Sequence, residues 1–120
     1  PHRYDRTDLC RSRDRVCYAG GRHLAFKPGA AIVSCRRGGA TAAFDQLNKY
    51  FTILNMPVVS SSYWNMVHGN TPDEVLKDEE GMQTMRTLAR NMAWLLKCTE
   101  GKRAPGRPSD EPWEPMHFVR

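Results

Sequence analysis

The sequence predicts an α/β fold that contains a parallel sheet. Two stretches, at 30–35 and 57–62, predict short strands, and an amphipathic helix from about 41 to 55 lies between them. Strand, helix and strand joined by short links form a right-handed βαβ unit with parallel strands. A glycine-rich turn follows the first run, and ligands bind beyond the carboxyl ends of such strands. The sequence therefore predicts a ligand site at that turn.

Composition limits the class of protein. The chain has 120 residues, of which 40% are hydrophobic and 26% charged, which suits one globular domain. It has neither an apolar run of about 18 residues nor a secretory signal pattern, so we expect a cytoplasmic protein without a membrane span. The four cysteines, at 10, 17, 35 and 98, lack the spacing of a metal site and are expected to be reduced thiols.

The net charge of +5 is unevenly distributed. Residues 1–39 contain nine Lys or Arg and three Asp or Glu, whereas residues 40–120 contain nine and ten. Three interpretations of the basic excess are open: a solvated arm, a nucleic-acid-binding arm, or positive charge that serves an anionic cofactor or substrate. Because residues 1–15 contain few large apolar side chains, we predict an irregular basic arm there.

The first elements after this arm are short. An apolar patch at 16–19 is followed by Gly20-Gly21, which predicts the last turn of a helix with a glycine cap. Lys27-Pro28-Gly29 predicts a turn before the first strand. Ala30 to Val33 are all apolar without alternation, which indicates a strand covered on both faces.

The crossover helix and the second strand come next. Thr41 is the expected N-cap of the helix, and Asn55 before Met56-Pro57 is expected to end it. The helix should bury one stripe, formed by Phe44, Leu47, Phe51 and Leu54. An aromatic loop at 63–69 follows the second strand. Since parallel strands end at the same edge, this loop and the Gly38-Gly39 turn should flank one crevice.

Two further helices are predicted after the loop. Thr71, Pro72 and Glu74 form a capping-box pattern that begins a short helix near 72–79. A long helix near 80–98 carries an apolar stripe expected to pack in the core: Met82, Met85, Leu88, Ala89, Met92, Leu95 and Leu96. Residues 99–120 are rich in Pro, Gly and charge and predict a tail, whose apolar end could dock on a neighbouring subunit.

Three stretches together resemble the flavodoxin-like NAD(P)H-dependent FMN reductases, of the multimeric flavodoxin or tryptophan-repressor-binding-protein type. They are Lys27 to Thr41, Tyr63 to Gly69, and Arg90 to Lys97. The resemblance covers about 16–98 and implies a partial flavodoxin-like doubly wound parallel sheet, with strands 4 and 5 and their flanking helices. Because the family's phosphate-binding loop has no counterpart in this sequence, we expect the chain to be the carboxyl-terminal half of a flavoprotein.

The resemblance implies hydride transfer from NAD(P)H to FMN and then to an acceptor, in a homo-oligomer. In the site that the resemblance implies, Gly38 and Gly39 let the backbone approach the flavin ring, and Arg36 or Arg37 offsets the negative charge of the reduced flavin near N1. The implied cofactor-binding residues are Cys35, Arg36, Arg37, Gly38, Gly39, Tyr63 and Trp64. His68 is a weak candidate for a catalytic proton donor. Each of these residues also has a purely structural interpretation. In it, Arg36 and Arg37 are ordinary surface arginines and Tyr63 and Trp64 are packing residues. Cys35 is a small buried residue, and His68 makes a structural hydrogen bond.

Two other functions stay open at this point. One is a non-catalytic fragment or subunit that folds by strand pairing and oligomerisation, because a strand without a neighbour offers an edge for pairing. The other is a small basic nucleic-acid-binding protein that uses residues 1–39. Binding of FMN by the purified chain would separate the reductase from both.

Overall fold

Two parallel strands form a small sheet within the part of the chain that the structure describes. The structure, a computed structural model, describes residues 21–101; the predicted arm at 1–15, the apolar patch at 16–19 and most of the tail lie outside that range. The elements are, in chain order, α1 (Gly21–Leu24), β1 (Val33–Cys35), α2 (Ala40–Ile53), β2 (Met66–His68), α3 (Pro72–Val75) and α4 (Glu79–Thr99).

The strands pair in the parallel register that the βαβ pattern predicts. Val33 pairs with Met66, and Cys35 pairs with His68. An isolated parallel bridge joins Gly29 to Val58 further back along both segments. Helix α2 packs against both strands, and α3 and α4 pack against β2. The architecture is a mixed α/β unit with a small parallel sheet and flanking helices, consistent with part of a flavodoxin-like fold.

The second strand lies later in the chain than predicted. The sequence indicates a strand at 57–62, but the paired strand is β2, inside the predicted aromatic loop, and only Val58 of the earlier run forms a bridge. From Gly29 to Val33 one segment advances four positions, whereas from Val58 to Met66 its partner advances eight. The prediction was wrong because four extra residues leave the ladder here, and local propensity does not encode where pairing resumes.

The first strand is not covered on both faces, contrary to the prediction. Ala31 is 4% exposed, whereas Ile32 is 57% exposed. Val33 and Cys35 are half-buried, and Ser34 between them is exposed. This alternation is that of a strand with one buried face. The uniform apolar sequence of the run concealed it.

Helix α2 is delimited by backbone geometry rather than by the predicted side-chain cap. Its N-cap is Gly39, with a φ of 90°, and Thr41 lies within the first turn, so the prediction of a Thr41 cap was wrong. Asn55 is left-handed, with a φ of 56°. The amides of Asn55 and Met56 donate to Thr52 and Phe51, which is the Schellman pattern. The helix thus ends where predicted, but by a different device.

The predicted apolar stripes are buried only in part. On α2, Leu54 is buried, but Leu47 is 40% exposed. On α4, Leu88 is buried, and its buried neighbours are Gly81 and Thr84 rather than methionines. Four residues of that stripe are half-buried, Met82, Met85, Met92 and Leu95, and two are exposed, Ala89 and Leu96. Two of the three buried residues of α4 are thus small, and the methionines of the stripe are only half-buried.

The first residues of the helices that come after β2 agree better with the prediction from the sequence. Thr71 accepts a hydrogen bond from the Glu74 amide and Pro72 is the first residue of α3, as predicted. The Glu74 carboxylate accepts from the Asn70 amide instead of closing the box on Thr71. Gly21 is the first residue of α1, and the helix end at 16–19 that Gly20-Gly21 is expected to cap lies outside the described residues. None of the helices in 21–101 has the length and apolar composition that crossing a bilayer requires.

Candidate functional site

The turn at Arg36–Gly39 joins the carboxyl end of β1 to the start of α2. All four residues are exposed. A side chain added at Gly38 or Gly39 would meet no atom within 4 Å, so space above the backbone is open. The positive φ of Gly39 is a conformation that other residues adopt with strain. The backbone of this turn is therefore accessible to a planar ligand.

The start of α2 adds unpaired hydrogen-bond donors to this turn. No side chain caps the helix, and its first turn contains no acidic residue. The first amides of a helix lack intrahelical acceptors and carry the positive end of the dipole. With Arg36 and Arg37 adjacent, the turn presents donors and positive charge. Both suit the carbonyl oxygens and developing negative charge of a flavin ring, so these residues fit that cofactor.

The carboxyl ends of the two strands meet beside this turn. Cys35 and His68 are register partners, and the Gly69 amide donates to the Cys35 carbonyl oxygen at 3.1 Å. Cys35 is half-buried, not the buried small residue of the structural alternative. His68 is exposed. The prediction that the turn and the loop share an edge thus holds for the end of the loop, at His68 and Gly69.

The two aromatic residues of the loop lie elsewhere, before β2 begins. Tyr63 and Trp64 are 54% and 51% exposed, with ring centroids 5.2 Å apart and planes tilted by 48°. They line a largely apolar groove of about 520 Å³ between α2 and the segment at 58–65. The turn residues at 35–39 are not part of its lining. The predicted site residues therefore form two groups, one at the sheet edge and one in the groove.

Two asparagines in the groove lining were not predicted as functional residues. Asn65 is 1% exposed, and its Nδ2 donates to the Ala31 carbonyl oxygen at 3.1 Å. The Oδ1 atoms of Asn65 and Asn48 are buried without a partner in the described part of the chain. A buried acceptor without a donor costs about 1–3 kcal/mol. Nothing in the sequence around these asparagines signals their burial.

The wall of the groove is fastened to α4. The Ser61 hydroxyl donates to the Thr84 carbonyl oxygen at 2.7 Å, and Nδ2 of Asn91 donates to the Ser60 carbonyl oxygen at 2.9 Å. These bonds hold the four-residue excursion of the second segment against the helix. The Ser61 hydroxyl and the Ser60 carbonyl oxygen therefore bond to α4, whereas in a strand paired continuously with its neighbour they would face other groups. The aromatic pair is therefore carried on a tethered segment.

Asp78 is a further residue that the sequence did not single out. It is the N-cap of α4: its Oδ1 accepts from the Gly81 amide at 2.9 Å, and its Oδ2 accepts from the His68 amide at 2.7 Å. These two hydrogen bonds, that of Gly81 first, lower the pKa of Asp78 below its ordinary value of 3.8, although burial opposes them. Nδ1 of His68 lies 3.5 Å from the same Oδ2.

The lowered pKa of Asp78 predicts acid sensitivity. The ionised carboxylate stabilises the fold above pH 3.8, and this contribution is lost as the pH falls through the lowered folded-state pKa. Asp78→Asn keeps one acceptor oxygen for the Gly81 amide but removes the charge and the acceptor of the His68 amide, so we expect a loss of about 1–2 kcal/mol at pH 7. Thermal unfolding between pH 7 and 2 should show the difference from wild type disappear at the acid end. A pH-independent difference would contradict this, and exposed Asp45→Asn is the control.

Fold and site together define a class of protein: an α/β domain with a parallel sheet whose ligand-accessible turn lies at the carboxyl edge. The sequence profile of the NADPH-dependent FMN reductase family matches residues 7–71, more than half of the chain. The protein belongs to this family of flavin-dependent NAD(P)H reductases. No curated protein and no solved structure gives a significant match. The matched range contains both groups of predicted site residues.

Proposed function

We propose that this protein takes part in flavin-dependent reduction, in which a hydride passes from NAD(P)H to FMN and then to an acceptor. The observation that carries the proposal is the accessible turn at Arg36–Gly39, at the carboxyl end of β1 and within the family match. Ligands of open parallel sheets bind at that position. When bound, FMN supplies the hydride and electron chemistry, and the protein supplies orientation and charge.

In this proposal the turn holds one edge of the flavin ring. Backbone amides of Gly38, Gly39 and the start of α2 donate to the ring carbonyl oxygens. A guanidinium from Arg36 or Arg37 offsets negative charge near N1, and always-charged arginine suits that role. Cys35 is the half-buried residue from which the turn departs and supports it through the backbone.

Tyr63 and Trp64 have a separate role in the proposal. Their exposed rings can stack on a planar nicotinamide or on the flavin, and the apolar groove behind them can exclude water from a bound ring. The volume of the groove falls within the range of small-molecule sites. The cofactor-binding residues thus remain those predicted from the sequence, now divided between sheet edge and groove.

A second candidate is a subunit that assembles by strand pairing and as a homo-oligomer. In the described range β1 pairs with β2 alone, and Ile32, directly before β1, is 57% exposed. An edge strand of this kind can pair with another chain. The two candidates are compatible, since an oligomer could also bind flavin.

Titration of FMN with the purified chain tests the reductase proposal. We expect saturable quenching of FMN fluorescence, because stacking on Tyr63 or Trp64 and contact with the turn bring the ring against protein groups. Riboflavin keeps the ring and lacks the phosphate, so it should compete for the same site. Trp64→Ala should weaken binding, whereas Trp94→Ala, at another exposed tryptophan on α4, should not.

The same titration separates the candidates. Absence of quenching together with a mass that rises with protein concentration would favour the strand-pairing subunit and contradict the reductase. Saturable binding that Trp94→Ala weakens as much as Trp64→Ala would contradict the proposed groove. Salt-sensitive DNA binding without flavin binding would support the nucleic-acid-binding alternative.

A further inference from the structure

We propose that the groove between α2 and the segment at 58–65 is a subsite for an adenine base, whose exocyclic amino group donates hydrogen bonds to Asn48 and Asn65. This inference rests on the proposed function, which brings an adenine dinucleotide to the protein, and it adds the place where the base of that dinucleotide binds. The Oδ1 atoms of both asparagines are buried acceptors without a donor in the described part of the chain.

Asn65 is held so that its unpaired oxygen cannot exchange places with its amide nitrogen. Its backbone carbonyl oxygen accepts from the Val33 amide at 3.0 Å, and its Nδ2 donates to the Ala31 carbonyl oxygen at 3.1 Å. A flip of the side-chain amide would break the second bond and set two oxygens against each other. Oδ1 therefore stays an acceptor, and a ligand N–H that reaches it supplies the hydrogen bond that the fold omits.

The lining of the groove suits a neutral ring that carries a donor. Asn48 contributes the second unpaired Oδ1, and the described lining contains no charged side chain. Phe44 and Val58 are among its apolar walls. The Ser61 hydroxyl, a donor in the same lining, already bonds to the Thr84 carbonyl oxygen. Small-molecule sites of this kind combine apolar walls with a few polar groups that fix the orientation of the ligand.

The position of the asparagines separates this subsite from the proposed flavin site. Ala31, to which Asn65 bonds, precedes Cys35 by four residues of extended chain, or about 13 Å. Asn48 follows Gly39 by nine residues of helix, which is also about 13 Å along the axis. Hydride transfer requires reacting atoms about 3–3.5 Å apart. A ring held by these asparagines is therefore not the nicotinamide that reduces a flavin at the turn.

The other ring of the dinucleotide meets these requirements. Adenine is planar and neutral, and its amino group provides two N–H donors for the two acceptors. Two riboses and a pyrophosphate join it to the nicotinamide, so one molecule can reach both the groove and the turn. Tyr63 and Trp64 are more than half exposed, so rotation of their side chains can admit the base. The long Trp64 side chain can also extend towards the flavin, whereas Asn65 is fixed by its bond to Ala31.

Adenosine is the probe for the first arm of the test, which needs neither flavin nor activity. In the full chain labelled with ¹⁵N, adenosine should shift the side-chain amide signals of Asn48 and Asn65 in a saturable manner. Purine riboside, which lacks only the amino group, should bind at least about fivefold more weakly. Nicotinamide mononucleotide should leave both signals unchanged. Shifts caused by nicotinamide mononucleotide and not by adenosine would overturn the assignment of the base.

A cycle of one variant and two ligands tests the hydrogen bond itself. Asn48→Ala should weaken adenosine binding by about fivefold, the loss of one neutral hydrogen bond, and leave purine riboside binding unchanged. Gln46→Ala, at an exposed position of α2, is the control and should change neither. Asn48 is the residue of choice because it is only half-buried, whereas the Asn65 side chain supports the fold. Equal losses for both ligands in Asn48→Ala would indicate a changed groove shape and overturn the contact.

A titration of FMN-saturated protein with adenosine separates this inference from the proposed function. Both ligands should bind together, and the affinity for adenosine should equal that of the flavin-free protein. If FMN displaces adenosine, or if adenosine does not bind while FMN does, the adenine subsite is overturned and the proposed function stands. Adenosine binding to a protein that does not bind FMN would contradict the proposed function and still support the base subsite.

Discussion

Replacing Arg36 and Arg37 together by alanine is expected to weaken FMN binding by at least about tenfold. A charge-assisted hydrogen bond contributes about 1.5–3 kcal/mol, and about 1.4 kcal/mol corresponds to a factor of ten in the dissociation constant. Both arginines are exposed and lie in the turn between β1 and α2, so their removal leaves the buried residues untouched. Fluorescence titration measures the affinity, and a redox titration of the bound flavin measures the potential.

The matched control is the double variant Arg86→Ala, Arg90→Ala. It removes the same charge from exposed positions of α4, away from the turn. If the two double variants weaken binding equally, the effect is one of overall charge and not of the turn. Unchanged affinity and potential in the first variant, with its fold intact, would refute the role proposed for Arg36 and Arg37.

The second large effect is expected for Gly69→Ala. A Cβ at this position would lie 2.6 Å from the Val75 amide nitrogen and 2.7 Å from Cγ2 of the same residue. Because a backbone atom cannot rotate away as a side chain can, α3 must shift, which costs about 1–3 kcal/mol. Chemical denaturation should record this as a lower midpoint with an unchanged slope.

Gly38→Ala is the control for this substitution. A Cβ there meets no atom within 4 Å, and the backbone conformation at Gly38 is not left-handed. Its stability should therefore stay within about 0.5 kcal/mol of wild type. Equal losses in the two variants would mean that glycine flexibility, and not the close approach of α3, accounts for the effect at Gly69.

Gly69 also links stability to the candidate site. Its amide donates to the Cys35 carbonyl oxygen, which fixes the end of β1 where the turn begins. A displaced α3 would pull on this bond. Gly69→Ala is therefore expected to weaken FMN binding as well as folding, although Gly69 is not among the residues proposed to touch the ring.

Local signals in the sequence predicted much of the fold. The cap of α3 at Thr71 with Pro72, the end of α2 near Asn55 and the extent of α4 all rest on contacts within a few residues, and all are confirmed. The parallel pairing followed from the short strand–helix–strand links. These features depend on contacts and links between residues that are close together in the chain, so the local sequence determines them.

Long-range pairing is where the prediction of the fold failed. Val58 and Val59 have the strand propensity, yet Met66–His68 form the strand, because Ser60, Ser61 and Asn65 bind other parts of the chain. The N-cap of α2 is Gly39 instead of Thr41, so its left-handed backbone begins the helix two residues before the predicted cap. Residue types near these positions do not reveal such partners.

The candidate site likewise has parts that the sequence predicted and parts that only the tertiary structure revealed. The sequence by itself determined the family, the parallel α/β class and the turn at Arg36–Gly39, since these reside in contiguous residues. Only the tertiary structure separated Tyr63 and Trp64 from that turn, buried Asn65 beside Ala31 and placed Asp78 against His68. Each of these depends on the residue at which a distant segment resumes pairing with its partner strand. A shift of that pairing by one residue turns every side chain of the strand to the opposite face of the sheet.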